Sequence, residues 1–138
     1  MAILGYNLKK IGMEKLVDVL PQGEIQVRLT PQIREVRLGE LRMPTGKTNA
    51  VEVLFSFVVE YNPEIAKATL EGSLLYLPPE KGKIDEILNA WENEKKLDGS
   101  MVVEVINFLN REFSPLLMVM AKEMRIPYHI PLPRAELR

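Results

Sequence analysis

The chain has 138 residues, of which 46% are hydrophobic and 27% charged, a balance that predicts one globular domain with a real core rather than a disordered chain. Its 18 basic and 19 acidic residues leave a net charge of −1, so we expect no nucleic-acid partner. Cysteine is absent, which excludes disulfides and thiolate chemistry and is typical of a cytoplasmic protein, and no apolar run is long enough for membrane insertion.

The first strands are predicted from alternation of apolar and polar residues. Glu24–Thr30 alternates cleanly and predicts a half-buried strand, which Pro31 interrupts. A second strand is predicted over Ile33–Met43. Residues 1–23 form an N-terminal arm whose structure the pattern leaves open, with a short helix over Met13–Leu20 as one interpretation.

Val51–Tyr61 carries the strongest strand pattern, because it is rich in β-branched and aromatic residues. Asn62-Pro63-Glu64 predicts a turn, and Ile65–Leu77 reads as the returning strand. In the strand Val51–Tyr61, six alternating side chains are predicted to point into the core. They are Val51, Val53, Phe55, Phe57, Val59 and Tyr61.

Helical spacing replaces alternation after Pro78-Pro79. Ile84, Ile87, Leu88 and Trp91 follow the spacing of an amphipathic helix that Asp98-Gly99 ends. Ser100 is predicted to cap a second helix, and Ser114-Pro115 either kinks it or begins a third. The fold class is therefore α+β, with a four-stranded antiparallel meander sheet packed on one face by C-terminal helices. One domain, 1–138, is divided into the arm, a sheet (24–77), helices (83–125) and a proline-rich tail (126–138).

Apolar residues also lie opposite the predicted core face of the sheet. They are Leu54, Val58, Leu75 and Leu77. A monomer rarely exposes a large apolar patch, so two interpretations stay open. Either the N-terminal segment folds back over these side chains, or they contact another subunit or a ligand.

The second helix and the tail carry a similar apolar excess. Met118, Met120 and Met124 are either ordinary core residues or an adaptable binding surface, because methionine side chains are flexible and polarizable. In the tail, Pro127, Pro131 and Pro133 are expected to hold Tyr128, Ile130 and Leu132 in an extended conformation. The tail would then lie along its own domain or along a neighbouring subunit.

No catalytic constellation is visible. His129 is the single histidine of the chain, and no metal-ligand spacing is present. Gly46-Lys47-Thr48 suggests a phosphate loop, but the glycine that this motif requires five residues earlier is Leu41. We therefore predict no enzyme, no catalytic residue, no metal and no cofactor.

Three stretches resemble the SecB-like family, and more narrowly its small archaeal members. They are ILGYNLKKI (Ile3–Ile11), FSFVVEYNPEIAKATLEGSLLYL (Phe55–Leu77) and RIPYHIPLPR (Arg125–Arg134). The resemblance implies four antiparallel strands packed against helices, assembly as a homodimer or homotetramer, and apolar grooves that hold unfolded polypeptide. Bacterial SecB is markedly acidic where it docks to the SecA motor, and this nearly neutral chain departs from that pattern.

The predicted function is an ATP-independent chaperone, or a protein that binds unfolded or hydrophobic polypeptide segments. The alternative is a non-enzymatic interaction subunit whose apolar faces are permanently buried in an oligomer or a specific complex. The predicted peptide-binding or interface residues are Leu54, Val58, Leu75, Leu77, Met118, Met120, Tyr128 and Ile130.

Overall fold

A computed structural model describes residues 3–80, 82–130 and 135. Within them the chain forms four strands and two helices, which are β1 (Ile3–Lys15), β2 (Gln26–Met43), β3 (Gly46–Asn62), β4 (Ala66–Tyr76), α1 (Lys83–Glu94) and α2 (Gly99–Met124). Of the predicted tail, residues 131–134 and 136–138, including Pro131, Leu132 and Pro133, lie outside the described residues.

The four strands form one antiparallel sheet in the order β1-β4-β3-β2. Strands β2 to β4 are the predicted meander, and β1 pairs with β4 along Ile3–Lys15. The predicted short helix over Met13–Leu20 is wrong, because Met13–Lys15 ends β1. The N-terminal residues therefore extend the sheet at its edge and do not fold over its open face.

The two strands predicted before residue 44 are one strand of 18 residues. Pro31 does not interrupt β2, which pairs with β3 on both sides of it, and the register shift lies instead between Ile33 and Glu35. Proline lacks an N–H and is tolerated on an edge strand, where one side of the backbone has no strand partner. The sequence pattern predicts a break between two strands at Pro31, but this residue is a proline within an outer strand.

The predicted core face of β3 is confirmed, since each of its six residues is at most 3% exposed. These side chains form one cluster with Ile84 of α1 and with Val105, Leu109 and Phe113 of α2. The Phe55 and Phe113 rings lie 5.5 Å apart between centroids. Both helices thus pack on this face, and the predicted α+β fold with helices on one face is confirmed.

Helix α2 begins after Asp98, whose carboxylate accepts a hydrogen bond of 3.4 Å from the backbone N–H of Ser100. The predicted cap was Ser100, and the structure moves it two residues earlier. The helix continues through Pro115, so no third helix begins there. It ends where Arg125 adopts a left-handed conformation (φ 55°) and donates its N–H to the carbonyl of Lys122.

In the part of the chain that the structure describes, no helix is both long enough and apolar enough to span a membrane.

Gly72 allows β1 to approach β4 closely. A β-carbon at this position would collide with the carbonyl oxygen of Asn7 and would lie 3.1 Å from the backbone of Leu8 and from the Phe55 ring. The β1 register shift between Leu8 and Lys10 lies beside this contact. Gly72 therefore fixes both the position of the edge strand and the packing of a core ring.

We expect Gly72→Ala to lower the free energy of unfolding by about 1–3 kcal/mol, as overpacking of a tight core does. Gly12→Ala is the matched control, because a β-carbon there meets nothing within 4 Å. Urea denaturation of both variants measures the difference. Equal stability of Gly72→Ala and the wild type would contradict the close approach of β1 to β4.

Candidate functional site

The four sheet residues predicted to contact a partner lie away from the core cluster. Leu54 and Val58 on β3 and Leu75 on β4 are half-buried on the open face, and Leu77, also half-buried, follows the end of β4. Several of their cross-strand partners are small or polar: Ser73 for Leu54, Thr69 and Thr30 for Val58, Gly5 and Glu52 for Leu75. The pairing separates these apolar side chains more than the sequence pattern indicated.

Charge alternates along one row of the same face. Glu14, Lys67, Glu60 and Arg28 face one another in turn across β1, β4, β3 and β2. Opposite charges on adjacent strands contribute roughly 0.2–1 kcal/mol per pair. At the other end of the face, the guanidinium of Arg37 donates a hydrogen bond of 2.7 Å to the carboxylate of Glu52. Charged pairs thus lie at both ends of this face, while Ser56 and Ser73 at its centre are buried.

The other predicted contact residues lie on α2 and on the segment after it. Met118 and Met120 are half-buried in the last turns of α2. Tyr128 packs against the core cluster of its own chain, while Ile130 is 37% exposed. The structure thus does not bring the eight predicted residues together into one surface, and their role in contacts stays a prediction.

An open groove with a mostly apolar lining lies between β2 and the two helices. It has a volume of about 240 Å³, and we call it the β2 groove; its lining is Pro31, Gln32, Ile33, Trp91, Lys95, Leu97, Val102 and Ile106. Six of these eight residues are apolar, and Lys95 is the one charged residue of the lining. The outer edge of β2 runs beside the groove, since within the described residues β2 pairs with β3 alone.

Trp91 is held in place as one wall of the β2 groove. Its indole N–H donates a hydrogen bond of 3.0 Å to the carboxylate of Glu35, and Lys95 Nζ lies 5.3 Å from the centre of its ring. The hydrogen bond from Trp91 is the main cause of a lowered pKa of Glu35. A rigid aromatic wall gives contact area at low cost in side-chain entropy.

A second cavity lies between α1, the start of α2 and the end of β4. Its volume is about 430 Å³, and Leu97 lines both this cavity and the β2 groove. Five of its lining residues are charged: Lys83, Glu86, Lys96, Asp98 and Glu104. The larger cavity is therefore the poorer site for an apolar ligand, and the β2 groove is the better one.

The edge strand β1 exposes apolar side chains at the opposite edge of the sheet. Leu4, Tyr6 and Ile11 are 40%, 45% and 47% exposed. Tyr6 packs edge-on against Phe108 and Phe113 of α2, at 5.9 and 5.2 Å between ring centroids. In the described residues the outer side of β1 has no strand partner. An unpaired strand edge beside exposed apolar groups is a natural surface for association.

Sequence reasoning missed the β2 groove because its residues were assigned to a strand, a loop and two helices. The contact of Glu35 with Trp91 joins residues 56 positions apart. The available signal was the apolar excess of α2, which includes Val102 and Ile106. Among the described residues, no group of three or more His, Asp or Glu side chains is placed to hold a metal ion.

Comparison with known proteins supports the fold. The structure is similar to that of a SecB-like chaperone of Mycobacterium tuberculosis, solved in complex with a ChAD peptide from the HigA1 antitoxin, with a TM-score of 0.53. The similarity covers 96% of this chain and 89% of that chain at 16% sequence identity. No family model and no curated protein matches the sequence. The predicted SecB-like fold is confirmed, while the narrower likeness to archaeal members gains no support.

The lowered pKa of Glu35 predicts an acid transition at the β2 groove. Because the folded pKa lies below the ordinary value of 4.5, the Glu35–Trp91 bond stabilises the fold above pH 4.5 and is lost as pH falls through the folded pKa. We expect the emission of Trp91, the single tryptophan, to change in that acid range.

Glu35→Gln should remove this change in emission, which a fluorescence titration measures. Glu40→Gln is the matched control, because Glu40 lies on the same strand and pairs with Lys47 at 3.8 Å instead. Identical titrations of Glu35→Gln and the wild type would show that Glu35 does not hold Trp91.

Proposed function

We propose that this protein is an ATP-independent chaperone that holds apolar segments of unfolded polypeptide in the β2 groove. The observation that carries the proposal is the groove itself, which joins a fixed tryptophan wall, an apolar floor and the unpaired edge of a strand. The SecB-like fold supports it, because a neighbour with this fold is a chaperone solved with a bound peptide.

The lining of the β2 groove favours binding that tolerates many sequences. Each apolar client side chain buried there contributes roughly 1.5–3 kcal/mol through the area removed from water. The backbone of a client can pair with the free edge of β2, which recognises the main chain rather than particular side chains. With one charged residue in the lining, electrostatic selection is weak.

The proposed role requires no catalysed reaction. The β2 groove contains no carboxylate, histidine or hydroxyl among its described lining residues, and Lys95 is its one ionisable group. The Gly46-Lys47-Thr48 stretch lies where β3 begins, and a helix, which a phosphate loop requires, does not follow it. We infer a non-enzymatic protein that works in the cytoplasm on unfolded clients.

Val102→Glu should weaken binding of an unfolded client at least tenfold, because it places a carboxylate in the apolar groove. The matched control is Val103→Glu on the same helix, since Val103 is 58% exposed and lies outside the groove. Binding of a reduced, unfolded probe protein is followed by Trp91 emission, and suppression of its aggregation by light scattering.

The wild type should suppress aggregation at near-stoichiometric ratios, as should the control variant. If Val102→Glu lowers the melting temperature, Val102→Ala is used instead, and it should also weaken client binding, by a smaller factor. Equal protection by Val102→Glu and Val103→Glu in folded protein would place client binding elsewhere.

The second candidate function is that of an interaction subunit that assembles with copies of itself. The exposed apolar residues of β1, Leu4, Tyr6 and Ile11, favour it. We propose a homodimer or homotetramer, in which this edge is covered by another subunit. The open-face residues predicted from the sequence, Leu54, Val58, Leu75 and Leu77, are the rival interface.

Light scattering tests this candidate, because one chain has a mass of 15.8 kDa. We expect the mass of two or four chains, and a shift towards the monomer for Ile11→Lys on β1. Leu54→Lys on the open face should leave the mass unchanged. Dissociation by Leu54→Lys alone would place the interface on the open face, and a monomeric wild type would contradict self-assembly.

A further inference from the structure

The residues after α2 dock onto the end of the sheet. Ile126 donates its backbone N–H to the carbonyl of Ala121 at 3.1 Å, and the Tyr61 hydroxyl of β3 donates to the carbonyl of Pro127 at 2.7 Å. The Ile126 and His129 side chains are 5% and 7% exposed. Residues 126–130, which we call the docked segment, are thus tied to one strand and one helix.

His129 is buried in this segment without compensation. Neither imidazole nitrogen has a hydrogen-bond partner among the described residues. Burial disfavours the charged form of a side chain, and burial is the one cause of the lowered pKa of His129. The neutral ring can remain in this apolar environment, whereas an imidazolium would need a partner or water.

Charged groups of the neighbouring elements do not offset this cost. The segment bonds to Tyr61 of β3 and Ala121 of α2, and the charged residues next to these in sequence are Glu60, Lys122 and Glu123. Arg28 pairs with Glu60 from β2, and Arg125 precedes the segment. All five are exposed to solvent. The phenol of Tyr61 is committed to Pro127, and burial raises its pKa, so it stays neutral.

We propose that His129 is an acid-sensitive latch, in which protonation of the buried imidazole releases residues 126–130 while the sheet and both helices remain folded. The inference is independent of the proposed chaperone function. It rests on the burial of a ring that has no hydrogen-bond partner among the described residues, in a short segment at the end of the sheet.

The direction of the pH dependence follows from the two states of the ring. In the released segment His129 has its ordinary pKa of 6.5, and in the docked segment its pKa is lower. Docking is therefore complete above pH 6.5, and it weakens by about tenfold for each pH unit between the two values. Below the docked pKa no further change occurs.

Nuclear magnetic resonance of the full chain tests the latch between pH 8 and pH 5. The ring proton of His129, the single histidine, reports protonation directly. Amide exchange protection of Ile126 reports docking, and that of Val53 in the core of β3 reports the integrity of the sheet. We expect His129 to titrate below pH 6.5, with loss of Ile126 protection at the same midpoint and with Val53 still protected.

Two variants separate the charge of the ring from its packing. His129→Phe keeps a buried ring that cannot be protonated, so Ile126 should stay protected throughout the pH range. Tyr61→Phe removes the hydroxyl bond to Pro127, so release should move to higher pH. Both comparisons use amide exchange, and the wild-type titration is decisive even if a variant does not fold.

Three results would overturn the latch. His129 could titrate at or above its ordinary pKa, Ile126 could stay protected through the titration of the ring, or Val53 could lose protection together with Ile126. The last result would show that protonation unfolds the whole domain rather than releasing one segment.

Discussion

Phe113 of α2 packs against Tyr6 of β1 and Phe55 of β3, at 5.2 and 5.5 Å between ring centroids, and so joins the helix to an edge strand and a central strand. It sets one helix across a four-stranded sheet. Strands lie about 4.8 Å apart, so the sheet spans about 14 Å between its outer strands, more than the roughly 10 Å diameter of a helix. α2 contacts both outer strands where it crosses them, but a helix narrower than the sheet does not cover the full length of either edge. α1 partly covers the β2 side, and the β2 groove is what remains open there.

The sequence predicted the centre of the sheet well and its edges poorly, for a physical reason. A central strand such as β3 has neighbours on both sides, so regular alternation is required and Val51 to Tyr61 show it. β1 has register shifts at Gly5 and Lys10, which break the alternation that identifies a strand. Pro31 in β2 is tolerated because that strand is an edge. Edge strands can carry bulges and prolines that a central strand excludes.

The sequence predicted that an apolar binding surface exists, but it did not predict where that surface lies. An apolar excess on α2 was visible in the sequence, and Val102 and Ile106 belong to it. Their meeting with Pro31 and Trp91 depends on tertiary packing that no local pattern encodes. On the open face, the role of Leu54 and Val58 in contacts stays a prediction. Their partners on β4 are Ser73 and Thr69, which the sequence pattern did not indicate.

The strand order makes the two proposed functions compatible. On the helix side of the sheet, apolar groups lie at β1 and at the β2 groove. These edges are the two ends of the order β1-β4-β3-β2, with two full strands between them. A second subunit that covers Tyr6 and Ile11 would therefore not occupy the β2 groove. Assembly at one edge would remove an aggregation-prone surface, and the groove at the other edge would stay free to hold a client.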